Sequence, residues 1–297
     1  MMLLVFAVVV CAQKKYEKYI RKYDVVQYLP ERCDSNPSTF WRTIVNNNPV
    51  LKENIGKMTN PKGSMKEAMD KVQRINSENA LRDQSLPKMD LGPLNEMLNA
   101  ELLDAGEDDP VMTFCVLDKE EWNAGCTPDG HVYINYGLVK KLGKSDEMLF
   151  GVLAHEITHF MLKHTLMHIY RTLKREKTNN VVAGVAVLGM GVGSMAAAGS
   201  GYYDPNMSQR YQDVLDGAKE STNMFYYRYG RDEELEADIV AYRFLEWIGI
   251  DPSNYIKALG LIDLDNLTGA GKKDSDHPST AFRVELLRQL IPAGYKR

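Results

Sequence analysis

The chain has 297 residues, 44% of them hydrophobic, which is enough to bury one substantial core and too apolar for a disordered protein. Its 36 basic and 40 acidic residues leave a net charge of −4, so bulk electrostatics give no reason to expect nucleic acid or an anionic membrane surface as a partner.

Residues 1–12, MMLLVFAVVVCA, form an apolar run too short to span a bilayer and are followed by Lys14 and Lys15. The run reads as the end of a secretory signal cut after Ala12, although it lacks a basic leading region. A short core strand and a lipid anchor on Cys11 are the alternatives, and the bulky Val10 disfavours the anchor. The signal reading implies a periplasmic or secreted protein. Beyond it, Cys33, Cys115 and Cys126 are too few for a disulfide scaffold. One bridge, Cys115 to Cys126, competes with three unpaired thiols.

Residues 13–62 form an N-terminal segment in which no chemistry is evident, and Asn46-Asn47-Asn48-Pro49 and Asn60-Pro61-Lys62-Gly63 read as turns or linkers. The main domain is expected over 63–297. It opens with an amphipathic helix from Ser64 to about Gln84, on which Met65, Met69, Val72 and Ile75 recur at helical spacing. The runs VMTFCVL (111–117) and HVYINY (131–136) are rich in β-branched and aromatic residues and read as paired strands around a turn-rich NAGCTPDG segment. Ser145-Asp146-Glu147 then supplies an N-cap and acidic first turn for an apolar helix running from about Asp146 to His168 or beyond. The nearly uncharged stretch 181–199 has the length of a membrane span. Its glycines equally suit a buried helical hairpin or a flap, so membrane association through this stretch stays open.

The apolar helix is interrupted by His155-Glu156-Ile157-Thr158-His159. Imidazoles four residues apart lie on one face about one turn apart and can grip a single metal ion, with Glu156 toward the ion's open side. Two His and a Glu in an apolar helix need partners, because a polar group taken out of water unpaired costs roughly 2 to 7 kcal/mol. Zinc is such a partner, and a catalytic zinc site needs a third protein ligand. The segment RDEELEADIVAYRFLEW (231–247) reads as a second helix that can supply it. Glu234 and Asp238 share a face there, so that Asp238 can orient a ligating His through its outer nitrogen. On spacing alone Glu233 and Glu236 compete with Glu234.

HEITH with Lys163-His164, RDEELEAD at 231–238 and HPSTAFR at 277–283 resemble, in order, blocks of the zinc peptidase family that includes CAAX prenyl proteases, HtpX-type heat-shock proteases and periplasmic quality-control proteases. NAGCTPDGHVYINYGLVKKL at 123–142 is similar to a further block of that family. The resemblance implies a mainly helical α+β, zincin-like metalloprotease domain with a small sheet before the HExxH helix. It implies one zinc ion per chain on His155, His159 and Glu234, Glu156 as the catalytic base, and protein or peptide substrates. It further implies active-site positions for His277 and Arg283 and a substrate-edge role for Asn123 and Ala124, where NAGCTPDG departs from the family's NAFxxPGG. His164 and His168 are expected to be structural or surface residues. A chaperone-like or latent zinc-binding protein is the competing reading.

Overall fold

A computed structural model describes residues 15–83, 113–128, 130–143, 145–189, 230–266 and 278–295. The signal-like run 1–12, residues 190–199 of the glycine-rich stretch and His277 lie outside the described residues.

Helix α1 covers residues 15–23 and leads through a single-turn helix, Val25–Tyr28, to α2 (Pro37–Asn47) and α3 (Pro49–Thr59). Asn36 and Asn48 cap these two helices, each accepting hydrogen bonds from backbone N–H groups of the first turn, and a proline follows each cap at the first helical position. Asn48-Pro49 is thus a helix junction rather than a linker. Asn60 to Gly63 does form a turn, with Gly63 at φ 54°, before α4 (Ser64–Asp83).

The sheet has three strands, β1 (Thr113–Leu117), β2 (Ala124–Cys126) and β3 (His131–Asn135), in the order β1-β3-β2. The expected pairing of the first and last runs is present, but it is parallel, Cys115 lying opposite Tyr133. The turn-rich segment between them contributes β2, which pairs antiparallel with β3. Thr127 closes that hairpin, exchanging hydrogen bonds with His131, and Gly130 adopts φ 89°. This order rules out the Cys115–Cys126 bridge. The two thiols flank the central strand, about 9 to 10 Å apart across two strand spacings, beyond disulfide reach.

Helices α5 (Tyr136–Leu142) and α6 (Asp146–Met161) follow. Ser145 caps α6, and every residue from Leu149 to Phe160 is buried. The single long helix expected to reach His168 is broken. Leu162 caps α6, Lys163 takes the left-handed conformation at φ 61°, and α7 (His164–Gly189) starts in a new direction. Among the described residues no helix is long and apolar enough to cross a membrane.

Helix α8 (Arg231–Ile248) ends at Gly249, whose φ of 86° suits a residue without a side chain. Together with α9 (Ser253–Asn266) it packs against α6, and α10 (Thr280–Arg288) closes on both. The N-terminal segment belongs to the same core. Phe40 and Trp41 pack tilted against Phe244 of α8, with ring centroids 5.2 and 5.1 Å away. Asp24 holds the buried Arg243 through both oxygens, at 2.9 and 2.7 Å. Asp24, the single-turn helix and α2 therefore buttress the back of the helix whose front carries Glu234.

Candidate metal centre

Helix α6 presents His155 and His159 one turn apart, and their Nε2 atoms lie 3.1 Å from each other. Glu234, in the first turn of α8, brings Oε2 to 3.6 Å from His155 Nε2 and Oε1 to 3.7 Å from His159 Nε2. Four-coordinate zinc with bonds of about 2.0 to 2.1 Å separates its ligand atoms by about 3.3 Å, and each of these approaches is near that size, the two carboxylate oxygens facing one imidazole each. All three residues are buried.

The neighbouring glutamates are committed elsewhere, and this resolves the ambiguity of the acidic cluster. Glu233 accepts from the Gly230 N–H at 2.9 Å, capping α8, and pairs with Arg171 of α7. Glu236 lies on another side of the helix, with Oε2 3.4 Å from His164 Nε2. Only Glu234 joins the imidazoles.

The outer nitrogens of the two histidines are held from behind. His155 Nδ1 donates to Asp238 Oδ1 at 3.0 Å, the contact anticipated from the spacing of Glu234 and Asp238. His159 Nδ1 lies 2.9 Å from His164 Nδ1. With both Nε2 atoms turned toward the triangle, each ligand carries its proton on Nδ1. His164 accepts from His159, and its own Nε2–H faces Glu236. His164 is thus buried behind a ligand, whereas the His168 side chain is 42% exposed and lies 3.9 Å from Glu233.

Asp238 is the hub of the second layer. Arg283 of α10 donates to it twice, Nε to Oδ2 at 2.7 Å and Nη2 to Oδ1 at 2.6 Å, and Nη1 lies 3.4 Å from Glu234 Oε2. Tyr255 of α9 donates to Asp238 Oδ1 at 2.6 Å and sits 3.0 Å from His155 Nδ1. Sequence reasoning missed Tyr255, which no motif marks. Its position depends on Gly151 of α6, where a Cβ would stand 2.7 Å from Tyr255 Cβ. Only a glycine lets α9 approach α6 this closely.

Burial opposes charge on every member of this cluster, and the partners decide the outcome. Against that burial, hydrogen bonds to Asp238 and Glu234 raise the His155 pKa to about 9, whereas burial and the neighbouring His155 drive that of His159 well below its usual range. Burial likewise works against the Asp238 carboxylate, but the Arg283 charge and hydrogen bonds hold its pKa down to about 2. Burial, followed by the Asp238 charge, keeps Tyr255 protonated far above the ordinary phenol range. With both imidazoles neutral, as ligands must be, Glu156, Glu234 and Asp238 face the single charge of Arg283, and a divalent cation in place of the His155 proton balances them. The donor set, the triangle and the charge balance all fit such an ion.

Glu156 is buried in α6 between the two histidines. Asn123 and Ala124 lie where β2 begins, the Asn123 side chain accepting from the Ala124 N–H at 3.0 Å. β2 is one of the two edge strands of the sheet among the described residues, and it packs on α6.

The sequence profile of peptidase family M48 matches residues 95–291, more than half of the chain. The chain belongs to peptidase family M48. No curated protein matches it. This is a family of zinc metalloendopeptidases that includes HtpX-like enzymes, and this M48 chain brings the two histidines of its HExxH motif together with Glu234 from a second helix. Residues 15–74, which back α8 and flank α7, fall outside the matched range of the M48 profile.

Proposed function

We propose that this M48 chain is a zinc-dependent endopeptidase of unfolded or misassembled proteins in the periplasm or outside the cell. The observation that carries the reading is the buried cluster of His155, His159 and Glu234, with Glu156 next to His155 on the same buried helix. Two imidazoles and a carboxylate suit zinc, which when bound polarises a peptide carbonyl and makes water a nucleophile near neutral pH. Glu156 takes the proton of the attacking water and delivers it to the leaving amine. His155 and His159 are kept in the ligating tautomer by Asp238 and His164. Arg283 positions Asp238 and Glu234, and His277 is left to steady the oxyanion.

Substrate selection follows from the sheet. In the antiparallel ladder Asn123 O accepts from Asn135 N at 3.0 Å and Thr127 N donates to His131 O at 2.9 Å. These residues turn their backbone groups inward, and by alternation Ala124 and Cys126 turn theirs outward. An extended chain pairing along β2 gains affinity from its own backbone, which favours unfolded substrates over a fixed recognition sequence. The apolar run 1–12 supports export.

Purified chain loaded with zinc is expected to degrade a casein-type substrate, chelator to abolish this, and zinc to restore it. Glu156→Gln is expected to keep the metal and lose turnover. Retained zinc with undiminished proteolysis in that variant would remove Glu156 as the base. Tight binding of unfolded protein without cleavage by the wild type would favour a latent or chaperone-like protein. N-terminal sequencing of the mature protein from fractionated cells tests export.

A further inference from the structure

A groove of about 660 Å³ lies beside the metal centre. Its walls are Met58 at the end of α3, Met69 and Val72 of α4, Pro128 just after β2, and Phe160 and Leu166 on either side of the α6–α7 break. Met58, Met69, Val72 and Pro128 are only half-buried, so part of each apolar side chain is left to the groove. Beneath it runs a small separate core of Met65, Ala68, Leu166, Met167 and Leu173, which ties α4 to α7 and gives the groove a firm base. Lys66 and Asp70 also line the groove and pair with each other at 2.9 Å, so their charges offset one another, and Gln73, Lys163 and Thr165 add polar groups to the lining.

Two features connect this groove to the chemistry. His159, a member of the ligand triangle, is part of its lining. Pro128 lies two residues beyond the end of β2, so a chain paired along that edge runs on toward the groove. We propose that the groove receives a large apolar side chain of the protein substrate close to the bond that is cut, so that α3 and α4 set the cleavage preference. This inference rests on the peptidase reading above.

The chemistry of the lining favours this occupant. Methionine is unbranched and polarizable and adapts to leucine, methionine or phenylalanine alike, so a Met-lined groove selects for apolar bulk rather than for one shape. Such side chains are buried in folded proteins and exposed in unfolded ones. Backbone pairing along β2 and an apolar groove therefore select the same substrates by independent means. Met58, Met69 and Val72 precede the range that matches the M48 profile, so this preference comes from the chain's own N-terminal helices.

The test is a mixed peptide library digested by the zinc-loaded chain, with cleavage sites read by mass spectrometry. Wild type is expected to show Leu, Met and Phe enriched at one position beside the cut. Met69→Trp fills the groove, and Met58→Lys places a charge in the part of its wall that α3 supplies. Each is expected to lower the ratio of kcat/KM for large apolar over alanine peptides at that position by about tenfold or more. Circular dichroism and metal content confirm that each variant is folded and loaded, and an unchanged preference in both would overturn the proposal. If wild type shows no chelator-sensitive cleavage, the peptidase reading itself fails. The groove is then judged by fluorescence anisotropy of labelled apolar peptides: weaker binding by both variants supports it, and equal binding overturns it.

Discussion

Arg283 grips Asp238 through both carboxylate oxygens, and Asp238 in turn accepts from the outer nitrogen of His155. A residue of the last helix thereby fixes the ring orientation of a ligand on α6, through a carboxylate on α8. The guanidinium is engaged by Asp238, Glu234 and Tyr255, contacts that suit it to positioning them.

Arg283→Lys cannot reproduce the bidentate fork. We expect metal affinity to fall roughly 10- to 100-fold, as when the carboxylate behind a ligating histidine is disturbed. Competition with a chromophoric chelator measures this, and an unchanged dissociation constant would refute the positioning role.

His164 stands behind His159 as Asp238 stands behind His155. His164→Ala removes the acceptor of the His159 Nδ1–H and should weaken metal binding by about tenfold. The absorption spectrum of the cobalt-substituted protein should shift as the ring loses its fixed orientation. Loss of thermal stability with no change in affinity or spectrum would mean that His164 only packs.

Asp238 also makes a prediction about acid. Its folded pKa, about 2, lies below the ordinary 3.8, so its contribution to stability is full above pH 3.8 and is lost as pH falls toward 2. The amount is on the order of 2 kcal/mol. Urea unfolding of the chelator-treated protein should show the stability gap between wild type and Asp238→Asn narrowing as pH falls from 5 to 2.5. A gap independent of pH would show that the ionised carboxylate is not what stabilises.

Gly151→Ala tests the approach of α9 to α6. The new methyl meets Tyr255 Cβ at 2.7 Å and must push the helix away, at a cost of about 1 to 3 kcal/mol. Because Tyr255 donates to Asp238, metal affinity should fall as well. Thermal melts and metal titration read the two effects separately.

Asp24→Ala leaves the buried Arg243 without its main partner, although Glu246 and the Ile291 carbonyl still accept from it. The expected destabilisation is about 3 kcal/mol, because an orphaned buried charge costs more than the pair contributes. Metal stoichiometry should not change. A neutral effect in urea unfolding would show that the N-terminal segment does not support α8.

Much of the site was legible because its decisive feature is local. The HEITH string lies within an apolar run with a Ser145 cap, and the helix and the shared face of His155 and His159 follow from those residues. The start of the second helix at Arg231 and the facing of Glu234 and Asp238 follow in the same way. The break at Lys163 did not show, because a left-handed lysine carries no glycine signal. Strand existence was readable at 113–117 and 131–135, whereas the parallel sense of their pairing was not. Alternation reports which face is buried, and it says nothing about the direction of a partner strand.

The sequence by itself determined the pair of imidazoles, because four residues along a helix fix their separation whatever surrounds them. Its resemblance to known peptidases singled out Glu234, which spacing had left level with Glu233 and Glu236. Only the tertiary structure decided how the three glutamates divide their work and brought Arg283, Tyr255 and His164 behind the ligands. It also placed the N-terminal segment against the back of α8 and formed the groove beside His159. Each of these contacts joins residues on different elements, and long-range packing is a property of the whole core that no local pattern encodes.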